Sequence, residues 1–371
     1  MFSLSTAAAV GDTIAASDPR VQWAGRIRAT GGAVSFDWPG VSARVAVTGA
    51  SFVSVTATTD QPSHGTRLKG YVSDQGFELY PTVEAWVSPL ASNSTLLWAS
   101  GNGSHSERNL TVEALTGSGI TTVASFHTDG SFAQQRPLHT DRRIEFVGDS
   151  ITAATNNVRP DGAPACADHA GLQGDWSRTY AGLLCHRFGA ACSTVAVGGK
   201  CMLRLPSPPF HACGGLQMPD YYLGAMRADA PAATFGFDPA QAPTAIFVNL
   251  GTNDLRVTKQ GGAWPERFVN DTVDFMRNAT RRWRRADIQF FLSAGPMENA
   301  TAPLTQQAVA RARALNLSAT FVDLRGACAA VTGTAACDGC ASHPGLRGHA
   351  AMAELAAPVI ARVMGWDGTA P

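Results

Sequence analysis

Four short stretches of this chain carry the residue types that ester hydrolysis needs. They are "EFVGDSIT" with Ser150, "AVGGK" with Gly199, "NLGTND" with Asn253 and "CASHPG" with His343. Breaking an ester calls for a hydroxyl nucleophile, a base to take its proton, and donors aimed at the oxygen that becomes negative. Ser150 supplies the hydroxyl and ends an apolar run, so it is expected to open the next helix, where free N–H groups and the dipole favour negative charge. Its own N–H is one candidate donor. Gly199 has no Cβ, which lets its N–H approach a ligand closely, and Asn253 adds an amide donor without bringing a charge. His343 precedes Pro344, which biases it toward extended backbone, and it is the expected general base. Each member alone reads as a turn residue or a solvent-facing loop histidine; the set carries the reading.

Such residues need a scaffold that gathers distant parts of the chain. Over residues 21–140 apolar and polar residues alternate in seven short runs: "GAVSFDW", "ARVAVTG", "SFVSVTATT", "TVEAWVS", "TLLWAS", "NLTVEAL" and "TTVASFH". Period two, β-branched and aromatic residues and intervening turn residues indicate an antiparallel β-sandwich domain. Over residues 141–371 five apolar strands alternate with amphipathic helices. That pattern indicates an α/β domain around a parallel sheet, whose ligands bind beyond the carboxyl ends of the strands. All four stretches follow such runs or precede the last helix. Residues 1–20 read as an N-terminal segment, at most a weak or truncated signal peptide.

Composition narrows the setting. The 371 residues carry 29 Lys and Arg against 29 Asp and Glu, and 45% are hydrophobic. A balanced charge gives no field to attract nucleic acid or anionic lipid, so a neutral partner is expected and a monomer is the default. No apolar run approaches the roughly 20 residues that cross a bilayer. Of eleven Asn, seven stand in sequons, at Asn93, Asn102, Asn109, Asn270, Asn278, Asn299 and Asn316. Chance would give about two, so an N-glycosylated chain on the secretory route is expected. Eight cysteines between Cys166 and Cys340 suit disulfides in an oxidising compartment. Proximity suggests Cys185 with Cys192 and Cys201 with Cys213.

The blocks "GDS", a following Gly, "GTND" and "HP" before a terminal helix, in that order, resemble those of the SGNH or GDSL-type hydrolases. Ile151 replaces the Leu of the family's name. The resemblance implies a flavodoxin-like parallel sheet with helices on both faces, Ser150 as nucleophile, His343 as base, and an oxyanion hole of the Ser150 and Gly199 N–H groups with Asn253. With "GRIRATGGAVSFDWPGVSARVAVTG" in a jelly-roll-like sandwich just before it, the chain resembles carbohydrate esterase family two. That implies a secreted esterase removing acetyl groups from a polysaccharide, of acetylxylan or 6-O-acetyl hexose type, through an acetyl-enzyme and without cofactor or metal. The family pattern places Asp three or two residues before the histidine, where this chain has Cys340 and Ala341. Either Asp338 reaches His343 as the third triad member, or a backbone carbonyl orients the imidazole in a Ser-His dyad. Other acyl esters (of sialic acid, algal polysaccharide or lipid) and an inactive carbohydrate-binding protein are the competing readings.

Three features stand apart. Trp264 offers either a sugar platform or a packing surface. Cys337, Cys340 and His343 have half of a zinc-site spacing, which disulfides explain better. Asp149 and Asp254 are expected to hydrogen-bond their own turns.

Overall fold

A computed structural model of the chain describes residues 11–60, 66–72, 83–87, 94–99, 107–117, 119–134, 141–158, 174–204, 213–258, 264–334 and 337–367. Residues 1–10, the sequons at Asn93 and Asn102, and Cys166 lie outside the described residues.

Period-two alternation produces the first domain. Its strands are β1 (Asp12–Ala15), β2 (Gln22–Ala24), β3 (Arg28–Thr30), β4 (Ala33–Phe36), β5 (Ser42–Thr48), β6 (Phe52–Thr59), β7 (Thr66–Val72), β8 (Val83–Val87), β9 (Ser94–Ala99), β10 (Arg108–Ala114), β11 (Thr121–Thr128) and β12 (Ser131–Ala133). Antiparallel pairing arranges them in two six-stranded sheets. One runs β3-β4-β11-β6-β9 with β1 also on β11, and the other runs β12-β5-β10-β7-β8 with β2 also on β5. All seven alternating runs of the sequence fall on strands. The other five escape the pattern because four have only three or four residues and β7, "TRLKGYV", is interrupted by Lys69 and Gly70. β1 lies within the expected N-terminal segment but pairs Asp12–Ala15 against Ser125–Thr128 and buries Ile14.

Continuous apolar runs give the second domain its sheet. The parallel strands β13 (Arg143–Gly148), β14 (Ala191–Ala196), β15 (Ala245–Asn249), β16 (Gln289–Ala294) and β17 (Ala319–Asp323) lie in the order β14-β13-β15-β16-β17. The helices are α1 (Tyr180–Phe188), α2 (Met218–Tyr221), α3 (Thr252–Thr258), α4 (Trp264–Trp283), α5 (Ala302–Ala314), α6 (Ala327–Thr332) and α7 (Leu346–Met364). One sheet face, with Phe146, Phe247 and Phe291, packs on α1 and α7 through Tyr180, Met352 and Ile360. The opposite face, with Val248, Phe290 and Leu292, packs on α4 and α5 through Phe268, Met276 and Val309. Covering both faces is what lets β15 and most of β16 be buried on both sides of the sheet. None of the described helices is long and apolar enough to cross a membrane.

Charged groups buried between the two domains join them. Glu145 sits in the middle of β13, only 1% exposed, where a lone carboxylate would be costly. Arg26, from the turn between β2 and β3, answers it with Nε and Nη2 on Oε1 at 3.2 and 3.0 Å, while the Tyr222 hydroxyl donates to Oε2 at 2.6 Å. Arg26 Nη1 also donates to the Tyr222 and Gly224 carbonyls, and its guanidinium lies 4.1 Å from the Phe235 ring centroid. Elsewhere, Gly40 lies against Trp176 so closely that a Cβ would come within 2.5 Å of the indole, and its φ of +74° independently selects glycine.

A second clasp places Lys69 Nζ of β7 at 3.1 Å from both Asp175 Oδ2 and Ser177 Oγ of the α/β domain. Glu113 of β10 is buried beside this pair. Burial first, and then the Asp175 charge, push its carboxyl up to about 8, with Lys69 opposing; Tyr71 is the other buried titratable group coupled to it. The folded state therefore holds a proton that the unfolded chain releases near its ordinary value of 4.5. Stability from this group is complete below the unfolded value and is lost as pH rises through the folded one. Glu113→Gln is expected to gain on the wild type in urea midpoint between about pH 5 and about pH 9. A constant difference across that range would contradict the assignment.

Candidate active site

A parallel sheet with β13 between β14 and β15 has its topological switch where the chain leaves β13 for opposite neighbours. The carboxyl ends of these three strands carry Ser150, Gly198-Gly199 and Asn253. The architecture therefore assembles residues that lie about fifty and a hundred positions apart in sequence.

The turn after β13 is tight for steric reasons. A Cβ on Gly148 would lie 2.0 Å from Thr152 Oγ1, so only glycine lets the chain fold back here. Asp149, fully buried, accepts the Ile151 N–H at 3.0 Å on Oδ1 and the Asn253 Nδ2 at 3.2 Å on Oδ2. Its carboxylate thus holds its own turn, as the sequence suggested, and also spans to the end of the neighbouring strand. Ser150 does not open a helix. The N–H of Ala153 bonds to the Asp149 carbonyl and that of Thr155 to the Ser150 carbonyl, and Ala154 and Asn156 then take φ of 63° and 60°. One turn is all that forms, because the polar "TNN" that follows has no apolar stripe to dock. Among the described residues, neither the Ser150 nor the Gly199 N–H has a protein acceptor. Gly199 has φ of +75° in a turn closed by the Lys200 N–H on the Val197 carbonyl, and a Cβ on it would meet nothing within 4 Å.

His343 arrives from the other end of the chain. Its Nε2 lies 2.8 Å from Ser150 Oγ. The backbone at His343 is extended, φ −74° and ψ 156°, as Pro344 requires. Local hydrogen bonds stitch its loop: the Gly339 N–H to the His343 carbonyl, the His343 N–H to the Cys340 carbonyl, and the Cys340 N–H to the Asn156 carbonyl next to the Ser150 turn. Between them Ala341 and Ser342 adopt left-handed φ of 50° and 61°, conformations non-glycine residues seldom take.

Asp338 is engaged elsewhere. Its Oδ1 accepts the N–H groups of Gly345 and Gly348 at 2.8 and 3.1 Å, satisfying donors at the start of α7. Its described bonds are those of a helix cap. Gly345 and Gly348 make the approach possible, since a Cβ on either would come within 2.8 Å of this carboxyl group.

Asn253 stands in the first turn of α3 and is 5% exposed. Its Nδ2 donates to the Lys200 carbonyl at 3.0 Å as well as to Asp149, so the amide bridges the ends of β14 and β13. Asp254, fully buried, bonds its own backbone N–H and also accepts the Met202 and Leu203 N–H groups, which fixes the loop after Gly199. Burial pushes its carboxyl up to about 7, against those three backbone bonds. Trp264 begins α4, half-buried, with its ring edge-on to Phe268 at 6.3 Å; packing is the role these contacts describe. His349, the other histidine near the site, accepts the Tyr180 N–H on Nδ1 and is held neutral, its pKa lowered to about 3 by burial and then by His343.

Disulfides join Cys185 to Cys192 and Cys201 to Cys213, the two expected pairs, and Cys328 to Cys337. Cys340 is disulfide-bonded too. The sulfurs of the half zinc site are therefore not available as thiolates, and the cluster of Cys201, Cys213 and Asp254 is a disulfide beside a carboxyl.

No protein-family model matches this chain, and no curated protein does. Solved structures do. A family two carbohydrate esterase from Cellvibrio japonicus superposes with a TM-score of 0.76 at 19% identity, over 96% of this chain and 98% of that one. A family two carbohydrate esterase with a carbohydrate binding domain from Corynascus thermopiles (Myceliophthora fergusii) gives 0.73 at 24% identity, over 93% and 100%. An acetyl xylan esterase, Est2A, from Butyrivibrio proteoclasticus gives 0.75 at 16% identity, over 95% and 98%. The chain therefore has, along nearly its whole length, the fold of these solved structures: an antiparallel β domain followed by an α/β domain around a parallel sheet.

Proposed function

We propose that the protein is a serine esterase that removes O-acetyl groups from a carbohydrate. The observation that carries this reading is the Ser150 Oγ to His343 Nε2 hydrogen bond of 2.8 Å at the carboxyl end of β13. Nucleophile and base within hydrogen-bond reach are the first geometric requirement of acyl transfer. The solved acetyl xylan esterase of the same fold supports the choice of substrate class.

His343 Nε2 takes the proton as Ser150 Oγ attacks the acetyl carbonyl carbon. Negative charge moves to the carbonyl oxygen, which the Ser150 and Gly199 N–H groups and the Asn253 amide hold. For Asn253 this means sharing an N–H that now goes to Asp149 or to the Lys200 carbonyl. The tetrahedral species expels the sugar hydroxylate, which takes the proton from His343. Water, deprotonated by His343, then attacks the acetyl-enzyme, and acetate leaves as Ser150 recovers its proton. Asp338 supports this chemistry at one remove: by holding the start of α7, it fixes the segment that carries His343. The chain works as a dyad with respect to Asp338.

Secretion and N-glycosylation belong to the same proposal. The three disulfides among the described residues support it, as do the sequons Asn270, Asn278, Asn299 and Asn316, which are exposed on the α/β domain.

Ser150→Ala is expected to abolish acetate release from acetylated xylan with the melting temperature unchanged; release near the wild-type rate would refute the nucleophile. Asn253→Ala should lower kcat by about 100- to 1,000-fold, the usual effect of removing one oxyanion donor. For Asp338→Ala the expected result is a loss of about 1 kcal/mol in unfolding free energy, typical of a lost helix cap, with kcat reduced less than about tenfold. A thousandfold fall in kcat in the folded variant would instead make Asp338 the third triad member.

A further inference from the structure

We propose that the β domain supplies one wall of a sugar subsite beside the nucleophile, with Thr116 and Arg227 as specificity-determining residues. This rests on the esterase reading above. A cavity of about 80 Å³ lies where the two domains meet, lined by Thr116 and Gly117 of the β domain and by Ala153, Thr155, Gly198 and Arg227 of the α/β domain. Three of these residues adjoin the catalytic turn. Ala153 and Thr155 belong to the turn that Ser150 begins, and a Cβ on Gly198 would lie 3.6 Å from the Ser150 Cβ. At Gly198 the lining of the cavity thus comes within van der Waals distance of the Ser150 side chain.

The wall from the β domain is rigid. Gly117 packs so that a Cβ would lie 2.8 Å from Pro39, and its carbonyl accepts Arg227 Nη1 at 3.1 Å. Arg227 is anchored in turn through its backbone N–H on Asp37 Oδ1 at 2.7 Å, with the Ala228 N–H on Oδ2 at 2.9 Å. One residue before Thr116, the Leu115 carbonyl accepts the Trp176 N–H at 3.0 Å. Both sides of the cavity are thus tied across the domain boundary, which suits a preformed site.

Its chemistry selects the occupant. The lining includes Thr116, Thr155 and Arg227, whose guanidinium has five N–H donors with Nη1 on the Gly117 carbonyl, among small alanine and glycine residues. An alkyl chain would leave those polar groups without partners, at a cost of about 1–3 kcal/mol each. A small hydroxyl-bearing group satisfies them, and the volume exceeds that needed for a single water. The cavity therefore takes a hydroxyl or hydroxymethyl group of the sugar that carries, or adjoins, the scissile acetyl ester.

The test compares acetylated xylo-oligosaccharides with para-nitrophenyl acetate and para-nitrophenyl butyrate, using Thr116→Leu to fill the cavity and Arg227→Ala to remove its donors. The two variants disturb the domain boundary differently, and circular dichroism checks that each is folded. The expected result is a fall of about tenfold in the ratio of kcat/KM for oligosaccharide over that for para-nitrophenyl acetate, carried mainly by KM. A ratio within twofold of wild type in both folded variants would overturn the subsite. So would a change confined to the acetate-to-butyrate ratio, which would place the acyl chain there. Wild-type inactivity toward every ester would instead remove the esterase reading, and the subsite with it.

Discussion

Everything in this molecule that bears on chemistry converges on the hydrogen bond between Ser150 Oγ and His343 Nε2, which joins residues 193 positions apart. Neither partner is held by its own segment alone. The serine sits on a turn that Gly148 permits and Asp149 braces, and the histidine on a loop stitched to Asn156 and leading into α7. Asp149 then spans to Asn253, and Asn253 to the Lys200 carbonyl, so the ends of three adjacent strands are locked to each other. A hydroxyl and an imidazole at 2.8 Å are of use to catalysis only when the donors beside them are equally fixed, because preorganisation supplies most of the stabilisation of a developing oxyanion.

The β domain enters the same network from behind. Glu145 lies on β13, five residues before Ser150, and its carboxylate is matched by a guanidinium from the other domain. A buried pair of this kind adds little net stability over apolar packing, but breaking it leaves a charge stranded. Its effect here is register: β13 and the β2–β3 turn fit together in the one arrangement that pairs Arg26 with Glu145 and also satisfies the Tyr222 hydroxyl and carbonyl. Lys69 and Asp175 repeat the device beside Asn157, whose side chain brackets the Asp175 backbone just beyond the Ser150 turn. Both clasps thus fasten the two domains together close to Ser150.

Legibility in the sequence followed physical range. Period two and continuous apolar runs located seven strands of the sandwich and all five of the parallel sheet, because those patterns are local consequences of which faces are covered. Ser150, Gly199, Asn253 and His343 were visible for the same reason: strand ends and a Pro-restricted residue are marked by their neighbours. What stayed hidden depends on distance. That Arg26 meets Glu145, and that Thr116 and Gly198 line one cavity, has no local signature beyond a glutamate interrupting the apolar run "RIEFVG". Asp338 is marked by its neighbours as well: Gly345 and Gly348 downstream leave room for its carboxylate, which accepts their N–H groups. The helix expected after Ser150 failed on the same principle, since a strand end announces a turn but "TNN" offers nothing for a helix to bury.

The central claim is that His343 activates Ser150 for attack on an acyl carbon. Labelling with a fluorophosphonate, followed by peptide mapping, reads that activation directly, because the reagent modifies a serine whose proton a neighbouring base removes. The account predicts stoichiometric labelling of Ser150 in the wild type and loss of that labelling in a folded His343→Ala variant. An unlabelled Ser150 in the wild type, or equal labelling with and without the His343 imidazole, would contradict it.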